Sequence, residues 1–336
     1  MGRRNRGGGG LMAFARNWRN AWVSEAPERA TERDIAPLNA VFSESFTERY
    51  RKDGMVGVRV PHLNPGVWKF AMADAEEGAM VWRNSRDGIA AFNMVHRSGI
   101  EGWMGPLAVH PDYQGQGIGK TIVNAGVDWL KQQGARIIGL ETMPRTMDNV
   151  GFYSTLGFMP GHLTVTVTLD AARAGLQCLS LAAMNPHERE LAMRQCRILL
   201  NELAPGYDYT REMSLTAQHS LGDTLLVRHG FEVASFAICH SVPLVEGRIR
   251  EELRVLKMAA RDESEFDHLL TQLAAYARSI SARRVAIRVQ AQYGDVYRRL
   301  IARGARVRWT DLRMAVHGYG ETRPAGGGIV LSNWEI

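Results

Sequence analysis

The chain predicts an α/β protein of the α+β kind, built as two similar domains, each a mixed, mostly antiparallel twisted sheet flanked by helices. Three observations carry this. Short runs of alternating or continuous apolar residues are joined by Gly-containing turns, the mark of an antiparallel meander. Apolar residues at helical spacing follow each meander. The order of elements then recurs within 336 residues, a length that suits two domains.

Thr31-Glu32-Arg33-Asp34 offers N-caps before the helical pattern Ile35, Leu38, Val41, Phe42 and Phe46. Pro61 and Pro65 punctuate the stretch after it. Ala79–Arg83 reads as a strand, Asn84–Gly88 contains an Asp-Gly turn, and Ile89–Arg97 is a second strand. Ser98-Gly99 turns into a third, Trp103–Val109. A helix follows a glycine-rich loop, with Ile118, Ile122, Val123, Val127 and Leu130 on one face and Gly134 as its stop. Arg136–Glu141 is a short buried strand, Asp148–Leu156 a helix closed by Gly157, and Leu163–Leu169 a Thr/Val-rich strand.

The second pass begins with an apolar strand, Leu176–Leu181, and a helix opened by Asn185-Pro186 with Glu188 in its first turn. Leu225–Arg228 and Phe231–His240 repeat the meander. Glu252–Ala259, the helix Glu263–Ser279, the strand Arg284–Val289 and the helix Val296–Ala302 closed by Gly304 complete it. This divides the chain into a basic, Gly-rich tail (1–20), a first domain (21–170), a linker (171–175), a second domain (176–318) and a C-terminal tail (319–336).

The loop Val109-His110-Pro111-Asp112-Tyr113-Gln114-Gly115-Gln116-Gly117-Ile118-Gly119-Lys120-Thr121 admits three phosphate ligands. A triphosphate loop requires glycine where Gln114 stands, and would open a parallel βα unit rather than follow a meander. A dinucleotide turn requires glycine at Lys120. The third pattern, Gln/Arg-x-x-Gly-x-Gly/Ala, is met by Gln114, Gly117 and Gly119. Side-chain-free positions there bring backbone N–H groups to an anion at a helix N-terminus, with side-chain donors from Gln114 and a cation from Lys120. The second half has Ala260-Arg261-Asp262-Glu263-Ser264-Glu265 in that place, whose acids repel a pyrophosphate.

Here the sequence resembles the GNAT superfamily of acyl-CoA-dependent N-acetyltransferases. The resemblance runs through Leu107–Lys120, Gly139-Leu140-Glu141-Thr142 and Asn149–Phe158, the last similar to the family's helix ending in Y-x-x-x-G-F. It covers roughly residues 20 to 170; the second half is similar in plan only, so the whole resembles a tandem GNAT protein with a degenerate C-terminal copy. The resemblance implies acetyl-CoA, or another short acyl-CoA, as donor. It implies that Leu107 and Val109 present backbone groups to the pantetheine arm. It implies that Gln114, Gly115, Gln116, Gly117, Ile118, Gly119 and Lys120 hold the pyrophosphate. Thr146 stands where many members have Asn, which turns attention to Asn149 for the pantetheine.

Direct attack by an amine makes two chemical demands. An amine with pKa near ~10.4 must lose a proton, and the departing thiolate must gain or share one. Tyr153 stands where the family places the phenol that serves the thiolate. Glu141, at the end of a buried strand, is the candidate proton relay, with a salt bridge as its alternative role. His110 is expected to face solvent and His96 to be structural. Tyr297 is expected to be the second half's counterpart of Tyr153, acting in packing. Acceptor specificity is expected from Phe46–Trp68, the Gly206–Tyr209 loop and Trp334-Glu335-Ile336.

Composition sets the remaining bounds. The balance of 45% apolar and 23% charged residues is that of a globular protein, and no apolar run approaches a membrane span. The net charge of +6 draws on Arg3, Arg4 and Arg6 of a solvated arm, so nucleic acid is not the expected partner. Leu11, Phe14, Ala15, Trp18 and Trp22 form a helical apolar stripe that reads as a membrane-surface helix or, more often for such stripes, as a face packed on the protein itself or on a partner subunit; a homodimer is among the expected partners. No cleavable signal pattern is present. Cys178, Cys196 and Cys239 read as buried thiols without metal-ligand spacing, which fits a cytoplasmic protein with no metal. The expected function is acetyl-CoA-dependent N-acetyl transfer to a small-molecule amine acceptor. The alternatives are acetylation of a protein lysine or N-terminus, or a non-catalytic acyl-CoA sensor or scaffold.

Overall fold

The structure is a computed structural model that describes residues 22–172 and 178–335. The tail 1–20, the stripe residues Leu11 to Trp18 and most of the linker lie outside the described residues. Trp22, the last member of the stripe, is exposed.

In the first half, β1 (Glu28–Arg29) precedes α1 (Ile35–Lys52) and α2 (Pro65–Ala75). Then come β2 (Ala79–Arg83), β3 (Ile89–Ser98), β4 (Glu101–Val109), α3 (Ile118–Gln132), β5 (Ile137–Thr142), α4 (Met147–Thr155) and β6 (Phe158–Asp170). In the second half, β7 (Leu179–Ser180) precedes α5 (Pro186–Leu203) and α6 (Thr210–Gln218). They are followed by β8 (Gly222–His229), β9 (Glu232–His240), β10 (Glu252–Ala260), α7 (Glu263–Ser279), β11 (Arg284–Gln290), α8 (Gly294–Ala302), β12 (Arg306–Val316) and β13 (Ile329–Ser332).

Five elements went unread in the sequence, β1, α2, α6, β12 and β13, and of the strand expected at Leu176–Leu181 the described residues keep Leu179–Ser180 as β7. Pro65 is not a break: it is the first residue of α2, where a missing N–H costs nothing, and Asn64 caps the helix by accepting from Gly66 N. Helix α6 follows the Asp208 side chain, which accepts from Thr210 N. Strand β12 hides its character because Asp311 and Arg313 are buried in it while Val307 and Trp309 are partly exposed, the reverse of the usual polarity. The segment 319–336, read as a tail, carries β13.

All strands join one sheet, in the order β1-β2-β3-β4-β5-β12-β6-β11-β10-β9-β8-β7, with β13 beside β10. Each half therefore sends its long final strand into the other: β12 lies between β5 and β6, and β6 lies between β12 and β11. Antiparallel pairing dominates; β4·β5 and β10·β11 are the parallel pairs among the described strands.

These two parallel pairs open into wedges in the same way. β4 pairs with β5 only from Glu101 to Met104, and β10 with β11 only from Glu252 to Arg254. Both β4 and β10 are nine residues long, so Leu107 and Val109 correspond by position to Met258 and Ala260. In the second half the opening is filled: β13 pairs with β10 from Lys257 to Ala260, and Val330 N donates to the Tyr293 hydroxyl. In the first half the opening is a cleft.

The interface between the halves is polar as well as apolar. Glu101 of β4 accepts from Lys257 of β10, from Ser332 and from Trp334 Nε1, all buried. Trp334 packs with Trp103 and Ile137 beneath Gly139, where a Cβ would lie 2.4 Å from the indole. Glycine is required there by that approach.

Candidate active site

The first wedge opens between β4 and the loop that enters α3. His110 N donates to Ala90 O, and Ala91 stands opposite Val109. By antiparallel alternation, Leu107 and Val109 then turn their backbone groups away from β3, toward the side that β5 has left. The Val109 carbonyl accepts from Ser45 Oγ (3.1 Å) and Gln114 Nε2 (3.0 Å). The amide of Val109 and both backbone groups of Leu107 face the wedge.

The loop turns on two residues with left-handed backbone, Gly115 (φ 77°) and Gly117 (φ 82°), the latter the N-cap of α3. The first helical bonds are those from Lys120 N and Thr121 N to Gly117 O, so the amides of Ile118 and Gly119 have no helical acceptor by position. They point out of the positive end of a 15-residue helix. A Cβ at Gly119 would sit 3.2 Å from the Phe152 ring, so glycine here lets α4 approach α3. The equivalent helix of the second half is closed to anions: Asp262 caps α7 by accepting from Glu265 N, with Glu263 and Glu265 in the first turn.

Two clefts meet in the first half. The outer one, about 430 Å³, is lined by Leu107, Val109, Gln114, Gly115, Gly119, Asn149 and Tyr153 among the residues read from sequence, and by Arg49 and Lys52 of α1, which were not. Gln116, Gly117, Ile118 and Lys120 stand in the loop and first turn without lining it. The Gln114 side chain does not reach outward as expected. Its amide donates to Val109 O and accepts from Lys52 Nζ, so it braces the loop. Arg49 is engaged by Asp53 and Asp148, which leaves Lys52 as the more available cation. Basic residues in the last turn of a helix are ordinary, so nothing marked Lys52 in the sequence.

The inner cleft, about 330 Å³, shares Phe46, Arg49, Leu107, Asn149 and Tyr153 with the outer one. Its other walls are Phe42 and Tyr50 of α1, Leu244 of the second half, and Trp309, Asp311, Trp334 and Glu335 from β12 and the C-terminal segment. Tyr153 is 7% exposed, and its hydroxyl makes no hydrogen bond among the described residues. Burial pushes its phenol well above the ordinary tyrosine value, so it stays protonated. Asn149 stands at the junction, while Thr146 is fully buried and donates to Asp53 Oδ2 at 2.6 Å. Thr146 thus holds α1 to α4 and has no share in the clefts.

Glu141 is held as an anion between two arginines. It accepts from Arg288 Nη2 (2.6 Å), Arg313 Nε (2.9 Å) and Thr164 Oγ1 (2.5 Å), with its side chain 1% exposed. Burial alone would raise its pKa, but Arg288 and Arg313 more than offset that and hold it at about 2. A carboxylate bound so tightly as its anion has little tendency to take a proton. Both arginines come from the second half, which sequence reasoning on the first half had no means to see.

The two histidines differ in setting, and His110, expected to face solvent, is half-buried. His96 is buried, 2.6 Å from Asp74 and stacked on Trp103. His110 lies beside Glu44 on the surface side of the loop. Aligning the glycines that close α4 and α8, Gly157 and Gly304, places Leu300, not Tyr297, opposite Tyr153. Leu300 is fully buried, so the second half has no phenol there. Cys196 and Cys239 are buried and Cys178 half-buried. No helix among the described residues is long and apolar enough to cross a membrane.

A glycine-loop helix N-terminus beside a splayed pair of parallel strands defines an acyltransferase-type fold, and comparison with known proteins agrees. Residues 43–158 match the Acetyltransferase (GNAT) family, so the chain carries a GNAT acetyltransferase domain. N-alpha-acetyltransferase 30 of Schizosaccharomyces pombe is 38% identical over 65 residues, 19% of this chain and 43% of that protein. The match thus spans less than half of that relative's length. A putative acetyltransferase of Pyrococcus horikoshii shares the fold over 94% of this chain and 97% of its own, with TM-score 0.66 and 12% identity. A tandem GNAT protein from the clavulanic acid biosynthesis pathway does so over 88% and 98%, with TM-score 0.57 and 10% identity.

Proposed function

We propose that the chain is an acetyl-CoA-dependent N-acetyltransferase that acetylates a primary amine of a small molecule by direct attack in a ternary complex. The observation that carries this reading is the pair of clefts meeting at Tyr153, one under the glycine loop and one walled by both halves. Free loop amides at a helix N-terminus, with Lys52 beside them, suit a pyrophosphate. The exposed backbone edge at Leu107 and Val109, with Asn149 opposite, suits an amide-bearing arm. Bound acetyl-CoA would supply the activated acetyl group.

The chain's own residues would do the rest. Leu107, Val109 and Asn149 would orient the donor, and Gly115 to Lys120 would neutralise its phosphates. Tyr153 would keep its proton near the junction, available to a departing thiolate. Glu141 would hold Arg288 and Arg313 in place rather than relay protons. The second half would act as a degenerate copy with no donor site of its own, since β13 fills its wedge and Asp262 caps its helix.

The inner cleft, roofed by Leu244 and floored by the C-terminal segment, favours a small acceptor. A second reading, acetylation of a protein N-terminus, draws on what the Schizosaccharomyces pombe relative is named for. Acetyl-CoA, but not ATP or NAD, should raise the melting temperature. An amine panel against peptide N-termini, read by thiol release, separates the two acceptor classes. No melting shift at acetyl-CoA concentrations far above a micromolar Kd would remove the donor assignment.

A further inference from the structure

We infer that the inner cleft contains a subsite for a second positive charge on the acceptor, separate from the amine that reacts, and that Glu335 with Asp311 forms it. The inference rests on the acetyl-transfer reading above, and it names the acceptor's charge class.

The two ends of the inner cleft differ. The end shared with the outer cleft carries Tyr153, whose hydroxyl has no protein partner among the described residues and is the group left to meet a ligand. The other end is acidic. Asp311 and Glu335 line the inner cleft and not the outer one, so a charge held there lies away from the transfer point.

The acids at that end compete for one arginine. Arg288 serves three carboxylates at once: Glu141 at 2.6 Å, Asp311 at 2.9 Å and Glu335 at 2.7 Å. Arg313 serves Glu141 and Glu321, and Arg254 of β10 adds a third guanidinium near Glu335. Arg288 thus divides its charge among the three carboxylates that line the cleft, and Glu321, outside it, takes part of Arg313. Glu141 and Asp311 are almost wholly covered, whereas the Glu335 side chain is 49% exposed, and it lines the cleft. Glu335, which has only a share of Arg288, is therefore where a ligand can meet the acids.

The crowding shows in the acids themselves. Partial burial raises Glu335, Arg288 opposing and Asp311 and Glu141 adding to it. Burial raises Asp311 too, Arg288 opposing and Glu141 adding to it. An ammonium would relieve this crowding, and a ligand carboxylate would worsen it. Phe42, Phe46 and Trp309 supply apolar walls for the carbon chain between two charges. Both acids come from the second half and its C-terminal segment, which gives that half a part in the reaction without a donor site.

The test uses the full chain and three amines of one length: 1,4-diaminobutane, 1-aminobutane and 4-aminobutanoate. Calorimetric binding needs no turnover and is read first; thiol release with saturating acetyl-CoA follows. The diamine should bind at least tenfold tighter than the monoamine, and the amino acid weakest. Glu335→Gln should cut the diamine's advantage about tenfold, through KM more than kcat, and leave the acetyl-CoA melting shift in place. Equal binding of all three amines, or a Glu335→Gln chain that ranks them as before, overturns the subsite while leaving acetyl transfer standing. Diamine binding without any acetyl-CoA shift has the opposite meaning: the subsite stands and the acetyl-transfer reading falls.

Discussion

Replacing Glu141 by Gln should lower stability without altering the pH dependence of the reaction. The carboxylate is held at about 2 in the folded chain against an ordinary 4.5, chiefly by Arg288 and Arg313 acting against burial. At 1.36 kcal/mol per pH unit the difference corresponds to on the order of 3 kcal/mol. The side chain is 1% exposed, so solvent does not dilute the effect. A glutamine could still accept at one atom, but its NH2 would then confront guanidinium donors, which agrees with the ~3–5 kcal/mol typical of a broken buried pair. At roughly 2 °C per kcal/mol for a chain of this size, the melting temperature should fall by about 6 °C or more.

The sign with pH follows from the depressed value. The contribution of Glu141 is fully present above 4.5, declines as pH falls below it, and is lost once pH passes below about 2. Wild type and Glu141→Gln should therefore differ in melting temperature at pH 7 and converge in strong acid. The assay is thermal unfolding across pH, paired with a pH–rate profile of thiol release. A variant as stable as wild type, or one that loses an ionisation from the profile near neutrality, would refute the structural role and restore Glu141 as a base.

Tyr153→Phe should lower kcat by about 10²-fold or more, with the acetyl-CoA melting shift retained, as expected for a proton donor used in the chemical step. An unchanged kcat would reduce Tyr153 to packing. Gly117→Ala forces a Cβ onto a backbone at φ 82°, a strain of about 1–2 kcal/mol, so acetyl-CoA affinity by titration should drop on the order of tenfold with little loss of fold. Leu331→Ala in β13 empties a site only 2% exposed in the second core and should cost about 2–5 kcal/mol in denaturant unfolding. A loss under ~1 kcal/mol would mean that β13 is not the filler of the second wedge.

Local elements were legible in the sequence and long-range ones were not. The meanders, the capped helices and the glycine loop declare themselves through spacing and turn residues, and the structure has strands or helices at nearly all of them. Helix α2 was hidden by Pro65, read as a break although it serves as a first helical residue. Strand β12 was hidden because its buried Asp311 and Arg313 imitate a solvent face. In the candidate site, the loop could be read because backbone geometry demands glycine there. The partners of Glu141 could not, because Arg288 and Arg313 stand far away in the chain and meet it only through the exchanged strands. Tyr297 lies three residues short of Leu300, the position that both the helix starts and the closing glycines set opposite Tyr153.

The exchange of final strands also governs how the chain is made. β5 emerges from the ribosome with its outer edge unpaired, and the strand that covers it, β12, comes only after strands β7 to β11 have been made. Until then the first half has the glycine loop and Tyr153 but lacks Asp311, Glu335 and the arginines that hold Glu141. A nascent first half is thus an incomplete catalyst with an open sheet edge, prone to pair with any passing strand. A premature stop or a proteolytic cut before β12 should therefore yield aggregate rather than a smaller working enzyme.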